Sequence, residues 1–238
     1  MKLFLNLFIL HLTFSPLLSN AEDPEPFNIF PEVPEKGENI NAFIPAGWNI
    51  LDSSSGLLDN DEMPDVAVII QLVDTSQLKK ILTDDTLSEI SRPRILFILN
   101  QTVDGTYVKS CQSNQAILGE NEGGDAGDPF QNIEIKDRVL FFSFSGISDV
   151  QWNLAYSFRY NIDGFYLFEA LAKGESTSES YNYEYNLKSG KLSIELLDKN
   201  LPEENLKYTK IKAAVGQPRL ENFLPMSYVV DETEGIIF

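Results

Sequence analysis

The chain has 238 residues, with 36 Asp and Glu against 18 Lys and Arg, for a net charge of −18. A field of that sign repels phosphate backbones and anionic lipid head groups, which removes nucleic acid from the candidate partners. A single cysteine, Cys111, excludes internal disulfides and thiolate zinc clusters, and a single histidine, His11, leaves little room for imidazole chemistry.

Met1-Lys2, the apolar run Leu3 to Leu18 and the small residues Ser19-Asn20-Ala21 have the order of a secretion signal, predicting cleavage after Ala21. Asn6, His11, Thr13, Ser15 and Pro16 interrupt the run, whereas a spanning helix needs about 20 predominantly apolar residues. The mature chain is therefore expected to be exported, periplasmic or secreted, with no transmembrane segment and no histidine. Residues 22–41 hold Pro24, Pro26, Pro31 and Pro34 among acids and read as an extended, poorly packed arm. Residues 42–215 read as one β domain and residues 216–238 as a C-terminal tail.

Within the β domain, short runs with period-two alternation are bounded by Gly, Asn, Asp and Ser. They predict strands at Val66–Val73, Arg94–Asn100, Thr106–Ser110, Gln131–Ile135, Arg138–Ser145, Trp152–Tyr160, Phe165–Ala172, Tyr181–Leu187 and Lys191–Leu197. One short helical turn is expected at Ser76–Leu82. Asp104-Gly105, Asp163-Gly164 and Ser189-Gly190 predict tight hairpins, because glycine tolerates the positive φ of such turns. The expected fold class is all-β, an antiparallel meander arranged as a sandwich, an open barrel or a partial propeller.

Trp152, Leu154, Tyr156, Phe158 and Tyr160 share one strand face and Asn153, Ala155, Ser157 and Arg159 the other, which predicts a core face and a wet face. Tyr181, Tyr183 and Tyr185 alternate in the same way and would also suit a partly open aromatic surface.

The most specific string is Gly56-Leu57-Leu58-Asp59-Asn60-Asp61-Glu62-Met63-Pro64-Asp65, followed by the apolar run from Val66. Carboxylates at alternating positions in a turn can wrap a hard cation in oxygen ligands. The string resembles the calcium loop of FG-GAP and VCBS-type repeats. That resemblance implies calcium as the cofactor, with Asp59, Asp61 and Asp65 as carboxylate ligands and Met63 as a backbone ligand. Leu57 stands where the first ligand of the family pattern belongs, and Glu62 where its turn glycine belongs, so the loop is degenerate; Asp52 is a candidate replacement ligand. The order of Phe43–Leu51, Gly123–Phe130 and Trp152–Tyr160 also resembles exported bacterial β-rich proteins of unknown activity.

Glu120, Glu122, Asp125 and Asp128 surround the Gly123–Phe130 loop, which reads either as a second cation or ligand loop or as a plain acidic connection. Glycosidase chemistry needs two acids and no histidine, but among 36 acids no single pair stands out. No Gly-x-Ser-x-Gly string occurs. The functional expectation is a non-catalytic binding or scaffold domain with a protein or glycan partner. The alternative is a carbohydrate-binding or carboxylate-based glycan-active protein.

Overall fold

The computed structural model describes residues 30–73, 91–214 and 216–238. The expected leader, the first part of the proline arm and the Ser76–Leu82 turn lie outside them. The strands are β1 (Lys36–Gly37), β2 (Trp48–Gly56), β3 (Asp65–Leu72), β4 (Arg94–Gln101), β5 (Tyr107–Ser113), β6 (Phe130–Lys136) and β7 (Val139–Ile147). They continue as β8 (Gln151–Asn161), β9 (Gly164–Glu175), β10 (Glu179–Asn186), β11 (Lys191–Asp198), β12 (Leu206–Ile211), β13 (Val229–Asp231) and β14 (Ile236–Ile237). Only short 3-10 turns join them among the described residues.

The fold is all-β and antiparallel. A five-stranded sheet has the order β1-β5-β4-β3-β2, and a seven-stranded meander the order β12-β11-β10-β9-β8-β7-β6. Neither closes into a barrel. The sheets face each other across one core, in which Ala67, Ile69, Leu96 and Ile98 of the smaller sheet meet Phe142, Phe144, Tyr156, Phe158 and Ile194 of the larger. A second core covers the opposite face of β3 and β4, where Val66, Val68, Ile70, Ile95, Phe97 and Leu99 pack with Val33, Phe43 and Trp48. Burial on both faces explains why these two strands read as continuous apolar runs rather than as alternation.

Trp152, Leu154, Tyr156 and Phe158 of β8 point inward as their spacing predicts. Gly146, opposite Trp152, gives that indole its place: a Cβ there would lie 2.2 Å from the ring.

Several elements depart from the sequence expectation. From Phe30 onward the proline arm is packed: Val33 is buried, and Lys36–Gly37 pair with β5. The four prolines suppress alternation there, so an apolar anchor passes for arm. The turn between β8 and β9 takes its positive φ at Ile162, which is 88% exposed, and not at Gly164, which is buried and leaves room for the Arg219 guanidinium. Arg138, expected in a strand, is a turn residue; Asp137 and Arg138 both adopt positive φ between β6 and β7.

The C-terminal segment also differs from a tail. Leu220, Phe223, Ile236 and Phe238 enter the inter-sheet core. The Phe223 ring meets Tyr156 at 4.7 Å and Phe158 at 5.2 Å between centroids. Lys210 and Lys212 hold the β13–β14 hairpin through Asp231 at 2.7 and 2.8 Å.

Replacing Phe223 with Ala should cost about 3–5 kcal/mol, and Leu224→Ala, on an exposed neighbour, less than about 0.5 kcal/mol. Urea unfolding of both variants checks this, and equal effects would mean that the segment is not docked.

Candidate functional site

The acidic loop caps one end of the β3–β4 pair. Leu58 is its apolar anchor, buried in the inter-sheet core, and its N–H donates to Asp65 Oδ2 at 2.8 Å. The Asp59 N–H donates to the same oxygen at 3.2 Å. Asp59 Oδ1 accepts from the Asp61 N–H at 2.9 Å, and Asp61 Oδ1 from the Met63 N–H at 2.8 Å. These are Asx turns, in which aspartates close the backbone onto their own side chains. No residue from Leu57 to Pro64 has positive φ, so Glu62 is accommodated without the conformation a glycine would supply.

The structure brings the sequence-predicted residues together unequally. Asp59 and Asp61 each commit an oxygen to the loop's own amides, and the Met63 N–H points back to Asp61. Among the described residues no group of three or more His, Cys, Asp and Glu side chains converges on a metal-binding geometry. Asp52 pairs with Ile69, four positions along β3 from Asp65, or about 13 Å at the rise of a strand. Its carboxylate accepts from the Ser53 N–H instead.

Asp65 is the unusual member. It is 0% exposed, and its Oδ1 is a buried acceptor without a donor. Asn100, one position beyond the Val66–Leu99 pair on β4, directs its Nδ2 to Asp59 Oδ2 at 2.8 Å and leaves its own Oδ1 buried and without a donor. Alternation places Asp65 with Ala67 and Ile69, and Asn100 with Leu96 and Ile98, on the same inner face. Two unsatisfied oxygens therefore sit on neighbouring strands under one acidic loop. Sequence reading missed Asn100 because it lies 35 positions from Asp65, and nothing in its local pattern marks that neighbour.

Burial pushes the Asp65 carboxyl up to about 6, with Asp59 and Asp61 adding like charge and the Leu58 and Asp59 amides opposing the shift. Two buried acceptors lacking a donor fit a hard cation, which brings no hydrogen-bond demand of its own and takes oxygen ligands. Asp65 and Asn100 are the residues that would hold it, with Asp59 beside them.

The Gly123–Phe130 loop is tied down by cations of the protein itself. Arg94, buried on β4, donates to Gln71 Oε1 at 2.7 Å, Leu118 O at 2.8 Å and Asp128 Oδ1 at 2.9 Å. Burial opposes the Asp128 charge, yet the bonds from Arg94 and the Phe130 N–H hold its carboxyl below the usual range. Arg92 takes Glu120 at 2.5 Å. The loop is a structural connection whose acids are largely spoken for. Cys111 is buried and its thiol pushed up by that burial, which makes it unreactive.

The aromatic surface is smaller than the tyrosine stripe suggests. Trp152 and Tyr185 are core residues, while Tyr181 and Tyr183 are half-buried, stack at 5.0 Å and line a cleft of about 360 Å³ with Leu196 and Leu206. On the outer face of the seven-stranded sheet, a groove of about 400 Å³ is lined by Ser157, Glu169, Leu171, Glu184, Asn186 and Ser193. No helix of the described residues is long and apolar enough to cross a membrane.

Comparison with protein-family models, with curated proteins and with solved structures finds no match to this chain. The FG-GAP resemblance therefore stands on the residues of the loop alone.

Asp65 holds a proton more tightly in the folded chain than the unfolded value of 3.8 allows. Its contribution to stability is therefore fullest below about pH 3.8 and is lost as pH rises through about 6. Asp65→Asn keeps an acceptor for Leu58 and Asp59 and offers a donor to Asn100. Without added cation it should raise stability at pH 7.5 by on the order of 1–3 kcal/mol and bring no gain at pH 4. Urea titrations of both proteins at the two pH values check the difference; a loss at pH 7.5 would contradict it.

Proposed function

We propose that this chain is an exported, non-catalytic all-β binding domain whose acidic loop is closed by a hard cation, with calcium as the first choice. The observation that carries the cation is the pair of buried acceptor oxygens, Asp65 Oδ1 and Asn100 Oδ1, which no protein donor satisfies. A cation there would tie the loop to both strands and offset the like charges of Asp59, Asp61 and Asp65. Its role is structural: it would stiffen the end of the sandwich and would activate no water.

Export rests on the Met1–Ala21 pattern, and the non-catalytic reading on the absence of histidine beyond His11. Binding is supported by the grooves on the outer face of the seven-stranded sheet, the sheet face that no described element covers. Turnover of a glycan or peptide that a carboxylate substitution abolishes would replace the non-catalytic reading with the glycan-active alternative.

Thermal unfolding in excess calcium and in a chelator tests the cation. At about 100 times its dissociation constant the ion should add about 2.7 kcal/mol, or a rise of about 5–10 °C in Tm. Asp65→Asn and Asn100→Ala should each remove that rise. A wild-type protein that melts at the same temperature in both conditions would mean that no calcium is held.

A further inference from the structure

One cleft at the outer face of the seven-stranded sheet has chemistry opposite to the acidic balance of the molecule. It opens where β9 changes partners. From Glu169 onward β9 pairs with β10, but before that Leu167 donates to Pro218 O at 2.9 Å and Tyr166 bridges to Arg219. The gap between the β10–β11 turn and residues Gly216–Gln217 is about 600 Å³, with Arg159, Tyr160, Tyr166, Phe168 and Lys188 in its walls.

The side chains of Arg159 and Lys188 form no ion pair or hydrogen bond among the described residues, in a chain where acids outnumber bases two to one. The Arg159 guanidinium lies 3.9 Å above the Phe168 ring centroid. Stacking fixes the plane of the guanidinium and leaves its N–H edge free, the arrangement that favours a bidentate carboxylate. No acid lines the cleft among the described residues, and Asp163, which accepts from the wall residue Tyr166 through its Oη at 2.9 Å, is also engaged by Arg219 at 3.1 Å. That pairing removes the repulsion an anionic ligand would otherwise meet. Tyr166, half-buried, offers apolar ring area beside the cations.

We propose that this cleft binds a carboxylate carried on a ring, the carboxylate taken by Arg159 and Lys188 and the ring lying against Tyr166. The site goes beyond the cation loop and does not depend on it.

Isothermal titration calorimetry with galacturonate and with benzoate, each against its uncharged counterpart galactose or benzamide, tests it. The expected result is saturable binding of at least one carboxylate in the millimolar range or tighter, with the uncharged counterpart at least about tenfold weaker. The carboxylate that binds says whether the ring is a sugar or an aromatic. Arg159→Gln should weaken binding at least about tenfold and Lys188→Gln in the same direction; both residues are exposed, so both variants should fold. Asp65→Asn should leave carboxylate binding unchanged, and Arg159→Gln should leave the calcium response unchanged, so the two proposals fail separately. Lack of saturable binding by both carboxylates, or equal binding in Arg159→Gln, overturns the inference.

Discussion

β3 and β4 are buried on both faces, and the rest of the structure is organised to make that possible. The seven-stranded sheet covers one face, and the Phe30–Trp48 segment covers the other. Strands buried in this way can satisfy their backbone only through the ladder, and polar side chains at their ends must find partners locally. The two ends answer that demand differently. At one end Gln71 and Arg94 face each other, and Arg94 is satisfied by Gln71, the Leu118 carbonyl and Asp128. At the other end Asp65 and Asn100 leave two oxygens without donors.

That asymmetry separates structure from candidate function. Asp128 supplies the charge that a buried arginine requires, and in doing so pins the long connection between β5 and β6 to the sheet. Among the described residues no arginine or lysine pairs with Asp65; Arg138 meets the loop at the Asp61 carbonyl, to which its guanidinium donates at 3.2 Å, rather than at a carboxylate. An end of the core that is closed by an ion instead of a side chain would respond to its surroundings, whereas the Arg94 end is self-contained.

The outer face of the larger sheet follows a related logic. Its strands send their bulk inward, so the outward residues are small and polar, as with Ala155, Ser157, Asn182 and Ser193. Grooves form over the small residues, and the change of β9's partner opens the cleft beside Arg159. Arg159 and Lys188 stand without carboxylate partners among the described residues, two unpaired cations at one cleft in a molecule of net charge −18.

The sequence by itself determined the strands from β6 to β11, the antiparallel meander and the inward faces of Trp152, Tyr156 and Phe158. Period-two alternation on a half-buried strand is a local property and can be read where it stands. It did not reveal β2, an edge strand whose Asp-Ser-Ser-Ser run uses hydroxyls to bond across, Ser54 Oγ accepting from the Ile135 N–H at 2.9 Å. Nor did it show that the last segment is core, because Phe223-Leu224 and Ile236-Ile237-Phe238 are apolar runs too short to show a period. Within the candidate site it marked Asp59, Asp61 and Asp65 but not which of them matters. Only the tertiary structure decided that Asp59 and Asp61 serve the loop while Asp65 stands opposite Asn100. A pairing between positions so far apart is set by strand register, and register depends on how both faces of β3 and β4 are buried, which no local pattern encodes.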